Sequence, residues 1–189
     1  MDSEDFTRVY LLYVVMPLWL LAGILDWVCH RASRIELTSG TKESVMHSLL
    51  MAEAGLAVLL GLFLEIDSLV LLLMVAAFLL HEATELWDLA YASPRRTITP
   101  WEQHVHDYMA IVPFTALSLV FVLHWPQTLA LVGAGPEDAR FALEWKHAPL
   151  EPGYIAGLLG AIVVFDVLPY GEELWRCLRA ARLAKPVAR

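Results

Sequence analysis

Three acid and histidine pairs recur in this chain at a spacing of four residues: Asp26 with His30, Glu43 with His47, and His81 with Glu85. Residues four apart on an α-helix share one face, about one turn from each other. Each pair therefore offers an imidazole nitrogen and a carboxylate oxygen to a common neighbour. Asp88 extends the third stripe, and the run EQHVHD adds His104, His106 and Asp107. Imidazole and carboxylate donors with no thiolate among them suit iron, manganese or zinc. One such pair at a helix end reads as a solvated ion pair, but three pairs and the HVHD run at one end of one bundle point to a metal site.

The candidate ligands are thus Asp26, His30, Glu43, His47, His81, Glu85, Asp88, His104 and Asp107. His81 lies seven residues before Asp88, or about 10 Å deeper along a helix. Two residues subtend about 200° on a helix, so His104 goes with Asp107 toward one face and His106 points elsewhere. His106 is kept as a further candidate, together with Glu53, Glu82 and Asp166. Glu82 sits about 100° from His81, a position for a supporting role as much as for ligation. Glu53 lies beyond His47 toward the middle of an apolar run, where a bridging ligand, a channel carboxyl or a protonated donor would fit. Asp166 precedes Pro169 and is placed to satisfy backbone groups that the proline frees. Glu102 matches the acid of a capping box after Thr99, and Glu172 and Glu173 are expected to face water or headgroups.

The elements that must position these residues follow from composition. The 189 residues are 58% hydrophobic and 18% charged, with a mean hydropathy of +0.57, far more apolar than a soluble domain of this length. A spanning helix needs about 20 apolar residues, and five segments qualify: about 8–30, 43–65, 68–91, 101–124 and 153–176. The sequence predicts an all-α integral membrane bundle of five transmembrane helices, a single domain over 1–189. Thr41, Asp67 or Ser68, and Thr99 are the expected helix caps. Segment 126–152, broken by Pro126, Gly133, Gly135, Pro136, Pro149 and Pro152, reads as a loop with room for a short interfacial helix.

Let side A be the side on which the first helix ends. Arg31, Arg34, Lys42, Arg95, Arg96, Arg176, Arg179, Arg182, Lys185 and Arg189 fall there, against Arg8, Arg140 and Lys146 on the other side. By the positive-inside rule side A is cytoplasmic, the N-terminus and loop 126–152 lie outside, and a bacterial host would carry the protein in its inner membrane. Trp27, Trp87, Trp101 and Trp175 also fall near side A, as an interfacial belt would. All the candidate ligands belong to this side.

Composition also excludes classes. A net charge of -8 leaves no basic surface for nucleic acid. Cys29 and Cys177 have no CxxC spacing. HEATE begins as HExxH does but ends in Glu85, and GAG at 133–135 lacks the phosphate-loop pattern.

The ligand layer at helix ends on the cytoplasmic side resembles that of membrane-embedded, histidine-rich di-iron hydroxylases and desaturases. The resemblance covers architecture and HxxxH-like spacing; this chain has no HxxHH and is richer in acids. It implies two iron ions, an oxygen-dependent oxidation of a lipidic or hydrophobic substrate, and electrons from a ferredoxin or a separate reductase. An alternative is a zinc-dependent lipid hydrolase, since the layer also resembles that of membrane ceramidase and progestin-receptor-like proteins, which have seven spans. Non-enzymatic alternatives are a haem-binding electron carrier and a metal or proton transporter.

Overall fold

The computed structural model describes residues 2–184; Lys185 and Arg189 lie outside them. Five helices long and apolar enough to cross a membrane make an all-α bundle: α1 (Ser3–Ser33), α2 (Thr41–Phe63), α3 (Ser68–Ala92), α4 (Pro100–Leu123) and, after the short α5 (Trp125–Ala130), α6 (Pro152–Ala184). The chain is a membrane protein of five apolar helices. Helices α1 and α6 are longer than the apolar stretches within them. Asp2 caps α1 by accepting from the Asp5 amide, and Arg8 pairs with Glu4 on its first polar turns. Hydropathy marks the lipid-compatible window, whereas hydrogen bonding carries the helix past it.

Local chemistry sets the ends. Asp67 accepts from the Val70 amide at 3.0 Å, and Thr99 with Glu102 forms the expected capping box. Thr41 is not a cap: Gly40 takes that position at φ 72°, a conformation that favours glycine, and Thr41 is the first helical residue. Two single π turns interrupt the long helices, at Leu11–Val15 in α1 and Val163–Val167 in α6. Each stands just before a proline, Pro17 or Pro169. A proline cannot donate to the residue four back and crowds its carbonyl, and a π turn absorbs that mismatch without ending the helix.

Helix α2 packs along α3 and α6, and α1 packs against α4 and α6. The apolar core, centred on Leu20, Leu62 and Leu158 with Trp19 and Val58 against it, lies in the half of the bundle away from side A. Leu72, Leu79, Leu80, Phe114, Val122 and Phe165 are exposed on the outer surface, as lipid-facing residues are. At side A, Arg31 lies over Trp27, Lys42 over Trp87 and Arg179 over Trp175, at 5.3 to 5.5 Å from the ring centres. At the opposite end the long loop is tied to the α2–α3 turn: Lys146 donates its amide to Phe63 O at 2.9 Å, and the Ala142 amide reaches Asp67 at 2.9 Å.

Candidate functional site

The i,i+4 pairs on α1 and α2 face each other. His30 and His47 stack with ring centres 4.2 Å apart and planes 9° from parallel. Both donate through Nδ1 to one carboxylate, that of Glu173 on α6, at 3.0 Å from His30 and 2.7 Å from His47. Glu173 is fully buried, which corrects the expectation that it faces water or headgroups. Glu172, one residue on, does turn outward and binds Arg31 and Trp27. A carboxylate held on Nδ1 fixes both rings and turns both Nε2 atoms toward the middle of the layer.

There the two Nε2 atoms have no hydrogen-bond partner. That of His30 lies 3.3 Å from Asp26 and 3.7 Å from Glu102. That of His47 lies 3.4 Å from Asp88 and 3.9 Å from Glu43. Charge-assisted hydrogen bonds are shorter, about 2.7–2.9 Å. Adjacent ligands at about 2.1 Å from one ion are separated by about 3.0 to 3.4 Å, depending on geometry. Ligand atoms of Asp26, His30 and His106 all lie within 4.8 Å of one another, and so do those of His30, Glu43 and His47.

Helix α4 presents a different face from the expected one. His106 points inward and donates from Nε2 to Asp26 at 2.9 Å. His104 and Asp107 are exposed; His104 lies edge-on to Tyr108, and Asp107 accepts from Gln103. The helix starts at Pro100, and from that start the inward stripe runs through Glu102, Val105 and His106 instead of His104.

Arg96, in the α3–α4 turn, is drawn into the layer, although its basic character alone suggests a headgroup or topology role. Its guanidinium binds Glu43 at 2.6 Å and Glu102 at 2.5 Å. Burial disfavours its charge, but the hydrogen bonds and charges of Glu43 and Glu102 outweigh this and raise its pKa. Glu102 serves twice, with one oxygen on Arg96 and the other on the Thr99 amide. Tyr170 on α6 lies with its hydroxyl 3.0 Å from Asp26 and 3.1 Å from Gly23 O.

Of the other candidates, His81, Glu85, Asp88 and Asp166 border a small chamber of about 60 Å³ next to the stacked histidines, together with Asp26 and His106; Glu53 and Glu82 do not line it. His81 is buried and donates Nδ1–H to Leu50 O at 3.2 Å, which leaves the lone pair on Nε2 when the ring is neutral. Glu85 is half-buried and has one oxygen, Oε2, without a partner. Asp166 is brought inward by the π turn, and its Oδ2 is unpartnered instead of bonded to backbone freed by Pro169. Glu53 accepts from Thr84 at 2.9 Å, and Glu82 is half-buried with Oε1 unpartnered.

Asp26, Glu43, Asp88, Glu102, Asp166 and Glu173 are all buried, and among the described residues Arg96 is the one guanidinium bound to them. With neutral imidazoles the layer is short of several positive charges, and protonating His30, His47 and His106 would not fully supply them. Comparison of the chain with protein-family models, curated proteins and solved structures finds no match. Sequence spacing does not single out Glu173, Arg96 and Tyr170, because each belongs to a polar helix end that has ordinary reasons to be polar.

Proposed function

We propose that this protein is a membrane-embedded metalloprotein whose buried layer holds two transition-metal ions, iron in the favoured form, and oxidises a hydrophobic substrate with dioxygen. One observation carries the reading: His30 and His47, locked by Glu173, aim unpartnered Nε2 atoms into separate carboxylate pairs, Asp26 with Glu102 and Asp88 with Glu43. A stack spacing of 4.2 Å suits the separation of about 3.5–4 Å found in two-metal sites. Nitrogen and oxygen donors without thiolate suit ferrous iron, manganese or zinc.

Bound iron would supply the one-electron and dioxygen chemistry that no side chain provides. The chain's own groups hold and orient. Glu173 fixes both imidazoles, Arg96 ties Glu43 and Glu102 in place, and Tyr170 and His106 hold the two oxygens of Asp26. His81 offers a lone pair at the chamber wall, where it can accept a proton. The electrons would come from a ferredoxin or reductase docking at side A, taken as cytoplasmic from its excess of Arg and Lys.

A single zinc ion in a lipid hydrolase is the second reading, and Arg96 is the observation that favours it. With Glu43 and Glu102 engaged by the guanidinium and Asp26 held by Tyr170 and His106, the unpartnered donors are His30, His47 and Asp88, enough for one ion and its water. Axial ligation of one haem by His30 and His47 is disfavoured, since face-to-face rings cannot approach one iron from opposite sides. The deciding experiment strips the purified protein with chelator, reloads it with ferrous ion under anaerobic conditions, and adds dioxygen with membrane lipid extract. Rapid dioxygen uptake with an oxygenated lipid product is expected. Uptake no faster than for free iron, with lipid hydrolysis restored by zinc, would replace the oxidative reading with the hydrolytic one.

A further inference from the structure

A second cavity, of about 340 Å³, runs through the half of the bundle away from side A. Its wall is apolar and built partly from small residues, with Ala54, Ala57 and Gly61 on α2, Ala77 on α3 and Ala116 on α4. These positions carry at most a methyl group, so the helices leave room between them. Its inner end is His81, which with Trp19 also borders the small chamber beside the histidine stack. Its outer end is polar: Arg8, Glu65, His124 and Lys146. From His81 to the start of α3 at Ser68 is thirteen residues of helix, or about 20 Å, the length of one extended alkyl chain.

Of the charged groups lining the polar end, Arg8 and Lys146 are cations and Glu65 is the acid. Lys146 spends one N–H on Leu64 O at 2.8 Å and has two left, while Glu65 is engaged by the His147 amide at 2.7 Å. Arg8 is paired at 3.1 Å with the exposed Glu4, which does not line the cavity. The field is felt by His124, whose pKa is pushed down to about 4 by burial first and then by Lys146 and Arg8, with Glu65 opposing only weakly. Lys146 is itself lowered by burial. Two cations crowd a half-buried imidazole at the mouth of an apolar tube.

We propose that this cavity binds one single-chain anionic amphiphile, such as a fatty-acid carboxylate, with its headgroup at Lys146 and Arg8 and its tail extending to His81. Binding follows from the cavity itself; its being the substrate rests on the metal-centre reading above. The tail would then bring its far end, and not the carbons next to the headgroup, to the small chamber.

The test measures equilibrium binding of labelled hexadecanoate to the full-length protein in nanodiscs, with hexadecanol and hexadecyltrimethylammonium as comparisons. One saturable site is expected, with hexadecanoate at least about tenfold tighter than the cationic probe. Arg8→Gln and Lys146→Gln each weaken hexadecanoate by about tenfold and leave hexadecanol unchanged, whereas Ala57→Leu weakens both. Arg8 lies on an exposed turn, so its variant reports the charge effect even where Lys146→Gln disturbs the loop. Non-saturable uptake, equal affinity for anion and cation, or indifference to Arg8→Gln and Ala57→Leu together would overturn the proposal. Chelated protein is expected to bind hexadecanoate as well as untreated protein does. Failure of the metal reading therefore leaves this result standing, and failure here leaves the metal reading standing.

Discussion

Glu173 is the residue on which the two stacked imidazoles depend. Its two oxygens accept from His30 and His47, so one side chain on α6 sets the tautomer and aim of groups on α1 and α2. Removing one partner of a buried ionic network costs about 3–5 kcal/mol, which would make Glu173→Ala uninformative. Glu173→Gln keeps the size and one acceptor oxygen but offers an N–H where the second imidazole needs an acceptor. Supporting carboxylates of this kind contribute about 10–100-fold to metal affinity. Glu173→Gln is expected to lose metal affinity in that range while still assembling in membranes, measured by competitive chelator titration. Affinity equal to the parent protein would remove Glu173 from the site.

At the scale of elements, the helices are what make single pairs into a layer. Asp26 and His30 on α1 and Glu43 and His47 on α2 were legible as one-face pairs because a helix repeats every 3.6 residues and both runs are unbroken there. The face of α4 was not legible from its composition. HVHD presents two histidines on opposite faces, and only the start at Pro100 and the capping box at Thr99 and Glu102 decide which turns inward. His106 does, against Asp26 at 2.9 Å, while His104 is exposed. His106→Ala is therefore expected to lower bound metal by more than tenfold, and His104→Ala to leave it unchanged, when the two variants are compared by elemental analysis. The reverse order would mean that α4 is rotated from the orientation described. Arg96 was hidden for a similar reason: positive charge at helix ends has a topological use, and nothing in its neighbours marks one arginine as the one that folds back.

Across the whole molecule, the five apolar helices were evident in hydropathy because lipid admits few alternatives to helices. Their ends were less so, since α1 and α6 continue into polar turns that hydropathy does not weigh. The bundle divides into a polar half at side A and an apolar half with a cavity, joined at His81 and Trp19. Ionisable groups well inside a membrane cost on the order of 2.5–3.5 kcal/mol each on insertion scales, and the buried Asp26, Glu43, Asp88, Glu102, Asp166 and Glu173 against one guanidinium among the described residues are a large cost without further cations. Metal ions offset it; so would protons, and the two cases differ in one measurable quantity. That quantity is the metal content of the protein purified in mild detergent without added chelator, set beside that of the double variant His30→Ala/His47→Ala. A metal centre predicts two equivalents of iron in the parent protein and a trace in the variant. Equal trace amounts in both, with the parent fully assembled, would contradict it and leave the layer as a proton-compensated ion-pair network.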